Sequence, residues 1–178
     1  MRTDLNLQRR QGMTSYTAGI LTISDKGSRG EREDTSGPQL QAMLSDEGFS
    51  VVAYKIVPDE ITIIEETLRV WTDKDKIDLI LSTGGTGVSP TDLTPEATRA
   101  ILDREIPGIG EAMRQASLQK TPNAILSRGI AGIRKQSLII NLPGSKKAAK
   151  ENLEAVLPAL QHAIYKIKGG TKDCGNGS

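Results

Sequence analysis

The chain has 178 residues, which fits one domain with a sizeable core, and its 37% hydrophobic and 25% charged content is typical of a soluble globular protein. A formal net charge of +1 and only 3% aromatic residues disfavour nucleic acid and anionic membranes as partners, because they provide neither long-range attraction nor base-stacking surfaces. The single cysteine, Cys174, excludes a disulfide framework, and with one histidine, His162, the chain disfavours Cys- or His-based metal sites and a Ser-His-Asp triad.

The two ends of the chain differ in composition from its centre. Residues 1–16 are polar and contain three arginines without an apolar run, so they predict a flexible arm and not a signal peptide. Residues 169–178 are rich in Gly, Asn and Ser and predict a flexible tail. A single domain is therefore expected at residues 17–168. The lone cysteine, and the lack of a run of roughly 20 apolar residues, predict a protein of the cytoplasm.

The first part of this domain alternates strands and helices. Residues 17–24 are short, β-branched and apolar, which predicts a buried strand that ends in a loop. Pro38 suits the first turn of a helix with Ser36 as its N-cap, and Gly48 is expected to end that helix. Residues 49–57 then alternate in a pattern that favours a second strand.

The middle of the domain continues the alternation. An amphipathic helix is indicated by apolar residues at helical spacing, namely Ile61, Ile64, Leu68 and Trp71. Residues 77–82 are nearly all apolar, as expected for a third strand with both sheet faces covered. Thr94 and Pro95 are typical of an N-cap and a first turn, so we predict a helix from there to about Arg104.

The last part of the domain predicts the fold class. Residues 108–119 favour a helix, and residues 130–133 and 137–142 favour either a short hairpin or consecutive strands. A final helix is expected after Ser145, and Pro158 would kink it or mark a break. The alternating order predicts a three-layer αβα fold with a mainly parallel sheet, in which ligands bind beyond the carboxyl ends of the strands.

The loop TGGTG at residues 83–87 directly follows the third predicted strand. Its three glycines permit positive φ angles and close backbone approach, so its N–H groups can converge on an anion with help from its two threonine hydroxyls. The spacing fits neither a Walker A motif nor the dinucleotide-binding fingerprint. A tight strand-to-helix turn is the alternative.

Two carboxylates are expected beside this loop. Asp92 lies just ahead of a predicted helix, and Asp59 follows the second predicted strand. A carboxylate beside a phosphate cradle is unfavourable unless a cation lies between them, and Mg²⁺ that bridges carboxylates and substrate phosphates removes the conflict. The pair therefore predicts a Mg²⁺ site for nucleotidyl transfer. Ordinary capping or an Asx turn is the alternative at each position.

Two further loops follow strands at the same expected edge of the sheet. The segment Asn141-Leu142-Pro143-Gly144-Ser145-Lys146-Lys147 opens the last helix and offers backbone N–H groups and two cations to a phosphate. The segment Ser24-Asp25-Lys26 follows the first strand. Arg128 is a candidate for a further cation, although exposed basic residues are usually only solvated.

Several segments together resemble one known family. They are ILTISDKGSRGEREDTSGP, IVPDE, TGGTGVSPTDLTPEAT, EIPGIGEAMRQASL and TPNAILSRGIAGIRKQSLIINLPGSKKA, and they cover about residues 17–169. The set is similar to the MogA/MoaB family of molybdenum cofactor biosynthesis proteins and to the G domain of gephyrin and its plant counterpart, with TPNAILSR closer to MogA members. The resemblance implies a homotrimer that uses ATP with Mg²⁺ to adenylylate molybdopterin, and it leaves room for other proteins of that biosynthesis as partners.

The resemblance and the loops together suggest roles for residues. Asp59 and Asp92 match the paired aspartates that are catalytic and bind Mg²⁺. The residues expected to bind substrate are Ser24, Asp25, Thr83, Gly84, Gly85, Thr86, Gly87, Arg128, Pro143, Gly144, Ser145 and Lys147. Many members have arginine directly before the second aspartate, and here Thr91 stands in its place. Two alternatives remain, a MoaB-type relative that binds a pterin or nucleotide with different or weak activity, and a non-enzymatic trimeric scaffold.

Overall fold

The computed structural model describes residues 15–171, and within them one sheet and six α-helices. The strands are β1 (Thr17–Ile23), β2 (Ser50–Val57), β3 (Leu79–Thr83), β4 (Arg104–Glu105), β5 (Ala131–Arg134) and β6 (Ser137–Leu142). The helices are α1 (Asp25–Ser28), α2 (Ser36–Asp46), α3 (Ile61–Arg69), α4 (Thr94–Ile101), α5 (Pro107–Leu118) and α6 (Lys146–Ile167). A π-helical turn (Val70–Lys74) extends α3, and a 3₁₀ turn (Pro122–Leu126) follows α5.

The sheet has the strand order β2-β1-β3-β6-β5-β4. The first four of these strands are parallel, and β5 and β4 are added antiparallel at one side. The mainly parallel sheet is therefore confirmed. Residues 131–134 and 137–142 form the predicted hairpin, because β5 pairs with β6 in an antiparallel register that closes at Arg134 and Ser137.

Helices cover both faces of the sheet, which confirms the three-layer αβα fold. On one face, α2, α5 and α6 pack on a core whose strand residues include Ile20, Leu81 and Ile140. On the other face, α3 and α4 pack on a second core that includes Leu21 and Ile80. Neighbouring residues of β1 and β3 thus enter different cores, as the alternation of side chains along a strand requires, and this explains why these strands are apolar throughout.

Two predicted helix caps are wrong by one residue. Thr35 and not Ser36 is the N-cap of α2, and Asp34 takes over the capping, because its Oδ1 accepts hydrogen bonds from the backbone N–H of Ser36 at 2.9 Å and of Gly37 at 3.1 Å. Leu93 and not Thr94 is the N-cap of α4.

Two predicted helix limits also differ. The helix expected to reach about Arg104 ends at Ile101, because Leu102 is extended and Arg104 joins the sheet as part of β4. The last helix runs through Pro158 without a break. Pro158 is exposed, and tertiary packing of the four residues Leu153, Val156, Leu160 and Ile164 holds the helix on both sides of it.

Parts of the sequence-based predictions fall outside the described residues. The expected arm at residues 1–16 lies there except for its last two positions, and so does the tail from residue 172, including Cys174. Within residues 15–171, none of the helices is both long and apolar enough to cross a membrane.

One ion pair fixes the π-helical turn to the β5–β6 hairpin. The guanidinium of Arg134 donates from Nε to Oδ1 of Asp73 at 2.9 Å and from Nη2 to Oδ2 at 2.6 Å, and its Nη1 donates to the carbonyl of Ile101 at 2.8 Å. These hydrogen bonds from Arg134 lower the pKa of Asp73 to about 2. Because both side chains are mostly covered, the pair is expected to stabilise the fold more than an exposed pair does.

We expect Asp73→Asn to lower the free energy of unfolding by about 1–2 kcal/mol at pH 7, since it removes a charge-assisted, two-bond contact. The pKa of Asp73 is about 2 in the folded protein and ~3.9 in an unfolded chain. The difference in free energy of unfolding between the wild type and Asp73→Asn is therefore full above about pH 4 and decreases as the pH falls toward 2. Urea denaturation at several pH values measures this difference. Asp75→Asn, at an exposed neighbouring position, is the control, and a pH-independent difference would contradict the assignment.

Candidate active site at the carboxyl edge of the sheet

The four parallel strands end at one edge of the sheet. The register places Thr22 of β1 beside Thr83 of β3, and Thr83 beside Leu142 of β6. Ile23 of β1 lies beside Val57 of β2. The loops after these strands therefore meet at the same edge, as predicted for parallel strands.

The glycine loop adopts backbone angles that side chains rarely tolerate. Gly84 has φ +106°, and a Cβ there would lie 2.2 Å from the carbonyl oxygen of Ile23. Gly85 has φ +63°, and a Cβ there would lie 2.4 Å from Oγ1 of Thr94. Thr94 in turn donates from Oγ1 to the carbonyl of Gly84 at 2.9 Å. The two glycines are thus required for the loop to pass between β1 and the start of α4.

The loop offers fewer free donors than the sequence predicted. The N–H of Gly84 donates to the carbonyl of Leu142 at 3.2 Å, and the Thr83 hydroxyl donates to the carbonyl of Pro143 at 2.7 Å. Both groups join β3 to the segment after β6. Contrary to the expectation from the sequence, neither is therefore a free donor for an anion. For residues 85–87, no acceptor for the backbone N–H groups is found in the described part of the chain.

A cavity of about 410 Å³, here called the strand-end cavity, opens at this edge. It is lined by Thr22, Ile23, Ser24, Gly27, Arg32, Glu33, Asp34, Thr35, Ser36, Asp59, Thr83, Gly84, Gly85, Thr91, Asp92, Gly144 and Ser145. Four of these residues are carboxylates, and Arg32 is the one Lys or Arg among them. The cavity is therefore acidic although the whole chain is nearly neutral.

Asp59 is held by a reciprocal pair of hydrogen bonds with Asp25. The N–H of Asp25 donates to Oδ2 of Asp59, and the N–H of Asp59 donates to Oδ1 of Asp25, both at 3.0 Å. Burial raises the pKa of the Asp59 carboxyl above its usual range, and the charges of Asp25 and Asp92 raise it further. Asp59 thus lies in a field of negative charge that a cation would relieve.

Asp92 faces the same cavity from the other side of the glycine loop. Its Oδ2 accepts a hydrogen bond from the N–H of Ser89 at 2.8 Å, which fixes the carboxylate to its own loop. In residues 15–171, no hydrogen bond from the protein reaches Oδ1 of Asp92 or of Asp59.

The residues present fit a Mg²⁺ ion that substrate helps to bind. Asp59 and Asp92 each offer a free carboxylate oxygen to the acidic cavity, and oxygen ligands are those that Mg²⁺ prefers. The described residues contain no group of three or more His, Cys, Asp or Glu that could hold a metal. Two carboxylates with the remaining positions left to water and phosphate match the way Mg²⁺ is bound in nucleotide sites.

A second cavity of about 420 Å³, here called the helix-side cavity, lies on the other side of the glycine loop. It is lined by Gly85, Thr86, Gly87, Asp92, Arg114, Ser117, Lys120, Thr121, Asn123, Ala124, Leu126, Ser127, Pro143, Gly144, Ser145, Ala148, Glu151 and Asn152. The two cavities share Gly85, Asp92, Gly144 and Ser145. These four residues form the boundary between them, with Asp92 open to both sides.

Three of the predicted site residues line neither cavity. Asp25 acts through its hydrogen bonds to Asp59. Lys147 is exposed in the first turn of α6. Arg128 lies outside the loop that carries Asp92, where its guanidinium donates to backbone carbonyls and pairs with Glu96. Ser145 lines both cavities, and its Oγ caps α6 by accepting the N–H of Ala148 at 3.2 Å.

A second acidic centre lies in the segment at residues 27–36, where the sequence pattern indicated only a polar loop. Asp34 accepts hydrogen bonds from the Thr22 hydroxyl at 2.5 Å and the Tyr54 hydroxyl at 2.7 Å, in addition to the two backbone N–H groups that it caps. Burial and this bond raise the pKa of Tyr54 to about 12. Burial opposes ionisation of Asp34, but its hydrogen bonds outweigh burial and lower its pKa. Asp34 thereby fixes the wall of the strand-end cavity.

We expect Gly85→Ala to lower the free energy of unfolding by about 1–3 kcal/mol and to distort the boundary between the cavities, because it combines a positive φ with a contact to Thr94. Gly108→Ala is the matched control. Gly108 lies in α5 with open space around its Cβ position, so alanine there is expected to be neutral or stabilising. Thermal and urea unfolding measure both changes, and equal effects of the two substitutions would contradict the prediction.

Comparison with known proteins agrees with this fold and identifies the family. Residues 19–162 match the family described as "Probable molybdopterin binding domain". A crystal structure of the molybdopterin biosynthesis enzyme MoaB from Thermus thermophilus is similar with a TM-score of 0.83 and 55% identity, covering 86% of this chain and 97% of that one. A molybdopterin adenylyltransferase of Helicobacter pylori is 45% identical over 88% of this chain and 90% of its own length.

A longer relative shares the same region. Gephyrin of Dictyostelium discoideum is 48% identical over 88% of this chain, and the chain spans 23% of the length of that protein. The family match at residues 19–162 runs from within β1 into α6, so the matched range contains both aspartates, the glycine loop and the segment after β6. The chain belongs to the family described as "Probable molybdopterin binding domain", the MogA/MoaB family of molybdenum cofactor biosynthesis proteins.

Proposed function

We propose that the chain is a molybdopterin adenylyltransferase, which transfers AMP from ATP to molybdopterin. The observation that carries the proposal is the pair of cavities of about 410 and 420 Å³ that meet at Gly85, Asp92, Gly144 and Ser145. A reaction between two substrates requires them to approach one another at a common point, and this boundary provides it. The relatives named molybdopterin adenylyltransferase support the choice of substrates.

The proposed reaction is an in-line displacement at phosphorus. An oxygen of the molybdopterin phosphate attacks the α-phosphorus of ATP, the bond from that phosphorus to the bridging oxygen breaks, and pyrophosphate leaves with the bonding electrons. No covalent intermediate with the protein is needed, so positioning and charge neutralisation account for most of the rate enhancement.

The chain's own residues supply these two contributions. Asp59 and Asp92 would hold Mg²⁺, which when bound neutralises the charge that develops on the phosphate oxygens. The backbone N–H groups of residues 85–87 donate to an anionic group at the boundary between the cavities. Pro143, Gly144 and Ser145 close that boundary from the side of β6.

Arg32 is proposed to supply the cation that Thr91 lacks. Thr91 lines the strand-end cavity, but its hydroxyl lies 3.2 Å from the hydroxyl of Ser89 and carries no charge. Arg32 lines the same cavity from the loop between α1 and α2 and is exposed. A guanidinium in this position can pair with a phosphate of ATP or with the departing pyrophosphate.

The wider setting is proposed from the composition of the sequence and from the family. The proposal includes a homotrimer in the cytoplasm, a single domain at residues 17–168, and other proteins of molybdenum cofactor biosynthesis as partners.

A MoaB-type protein with different or weak activity is the second candidate. The 55% identity to the Thermus thermophilus MoaB structure favours it, since it exceeds the 45% identity to the Helicobacter pylori adenylyltransferase. Tight binding of ATP or molybdopterin without formation of adenylylated molybdopterin would support this second candidate, and turnover would support the first.

The test of the proposed function is the formation of adenylylated molybdopterin and pyrophosphate from molybdopterin, ATP and Mg²⁺. We expect turnover by the wild type and a loss of about 100-fold or more in kcat for Asp92→Asn, because charge stabilisation at the reacting phosphate is removed. Asp75→Asn, at an exposed position outside both cavities, serves as the control. Unchanged turnover by Asp92→Asn would remove Asp92 from the mechanism.

Asp59→Asn separates lost chemistry from lost folding. It should lose turnover to a similar extent and yet unfold at the same or a higher temperature at pH 7. The sign follows from the raised pKa of Asp59, since a folded state that holds the proton more tightly is stabilised when the charge is absent. Thermal unfolding of the same preparations shows whether the loss of activity has a structural origin.

We expect Arg32→Ala to raise the KM for ATP about tenfold, since one charge-assisted contact to a phosphate contributes roughly 1.4 kcal/mol or more. Arg29→Ala is the control, because Arg29 is in the same segment but pairs with Glu31 at the surface. Initial rates at varied ATP measure both. A KM for ATP that changes equally in the two variants would exclude a specific role for Arg32.

A further inference from the structure

The segment that carries Asp92 lies outside regular structure. Residues 88–91 between Gly87 and Asp92 are exposed, and Val88 is 64% exposed. Inside the segment, the N–H of Asp92 donates to the carbonyl of Ser89 at 2.9 Å, and the N–H of Ser89 donates to the Asp92 carboxylate. Such a short, solvated turn keeps one geometry only if its two ends are fixed from outside.

One end of the segment is fixed by the start of α4. The N–H of Thr94 donates to the carbonyl of Gly85 at 3.1 Å, and its hydroxyl donates to the carbonyl of Gly84. Thr94 is fully buried. These bonds fix Thr94, but they do not fix Gly87 or the main chain of Asp92, which require another group.

Arg128 makes that second connection. Its Nε donates to the carbonyl of Gly87 at 2.6 Å, and its Nη2 donates to the carbonyl of Asp92 at 2.5 Å. Its own backbone N–H donates to the carbonyl of Thr86 at 2.8 Å. Because the guanidinium is planar and rigid, its Nε and Nη2 donors hold the two ends of the turn at a fixed distance from each other.

The positive charge of Arg128 is already paired with a carboxylate of the protein. Its Nη1 and Nη2 pair with the carboxylate of Glu96 in the first turn of α4, and the hydrogen bond from Arg128 lowers the pKa of Glu96. Arg128 lines neither of the two cavities, but faces an open depression with Val88, Ser89 and Pro90. It thus lies on the outer side of the turn whose inner side presents Asp92.

We propose that Arg128 is a positioning residue for the reaction and not a substrate ligand: it holds Gly87 and Asp92 at a fixed separation, so that the Asp92 carboxylate is in place before substrate binds. Glu96 orients Arg128 from α4. This inference rests on the proposed role of Asp92. It replaces the expectation that Arg128 binds substrate with a role that acts through Asp92.

A positioning role and a substrate contact predict different kinetics. Arg128→Lys keeps the charge but loses the planar fork, so it cannot bind both carbonyls and Glu96 together. We expect kcat to fall about 100-fold, because a small displacement of the Asp92 carboxylate is enough to disturb the reacting geometry. The KM for ATP should stay within about threefold of the wild type. The concentration of Mg²⁺ at half-maximal rate should rise in the same variant.

Glu96→Gln gives an intermediate case. It retains both carbonyl contacts of Arg128 and removes only the ionic partner, so we expect a fall in kcat of about tenfold or less, again without a change in the KM for ATP. Arg99→Lys is the matched control on the same helix, because Arg99 pairs with Glu105 at the surface and contacts no part of the turn. This control should retain wild-type kinetics.

Amide hydrogen exchange tests the inference without any turnover. In Arg128→Lys, the amides of Ser89 and Asp92 should exchange about tenfold faster or more, while the amides of β3 and β6 keep their wild-type rates. If Arg128→Lys does not fold, Glu96→Gln must show a smaller increase confined to the same two amides. Unchanged exchange at Ser89 and Asp92, a general increase through the sheet, or a raised KM for ATP at constant kcat would each overturn the inference.

The two proposals fail in different ways. If the wild type makes no adenylylated molybdopterin, the proposed function fails, and exchange at Ser89 and Asp92 still decides whether Arg128 orders the turn. If the wild type turns over and Arg128→Lys does so equally well, the inference about Arg128 fails and the proposed function stands.

Discussion

The parallel pairing of β1 with β2 and β3, and of β3 with β6, is the constraint on which the site depends. It brings the loops after four strands to one edge although they are separated by more than 100 residues in the sequence, as the hydrogen bond from the Ser36 hydroxyl to the carbonyl of Gly144 illustrates. The bond from Gly84 N–H to Leu142 O then extends the β3–β6 pairing past the end of the sheet. The glycine loop is therefore a continuation of the strands, and its position follows from their register.

A buried polar network beneath the loop connects this edge to α4. Asn141 of β6 is fully buried and donates from Nδ2 to the hydroxyls of Ser82 on β3 and Thr98 on α4, both at 2.9 Å. Buried polar groups of this kind are costly unless they are paired, and when paired they favour a single arrangement. Through these contacts the helix that begins after Asp92 is fixed to the sheet rather than only packed on it. Rigid support from below and the connection made by Arg128 from outside together leave Asp92 little freedom.

The sequence predicted the elements better than the contacts between them. Strands such as β3 could be identified because residues buried on both faces are apolar without interruption, and the positions of Asp59 and Asp92 followed from strand ends alone. Helix starts were misassigned where two polar residues compete for the same role, as Asp34 and Ser36 do at α2. The role of Arg128 was not predictable in this way, because its partners Gly87 and Asp92 are 41 and 36 residues away and no local pattern records them.

The acidic character of the strand-end cavity means that a phosphate is expected to bind there together with a cation. The chain is nearly neutral, but four carboxylates and one guanidinium line the strand-end cavity. A nucleotide without a metal would bring further negative charge to this surface, where burial already raises the pKa of Asp59 and the charges of Asp25 and Asp92 raise it further. In the proposed function, a divalent cation would remove the repulsion that the nucleotide meets, and the phosphate oxygens of the nucleotide would complete the ligands of the cation. The charge of Asp59 is thus unfavourable in the empty protein, and in the proposed function this charge would favour a phosphate that arrives with its cation.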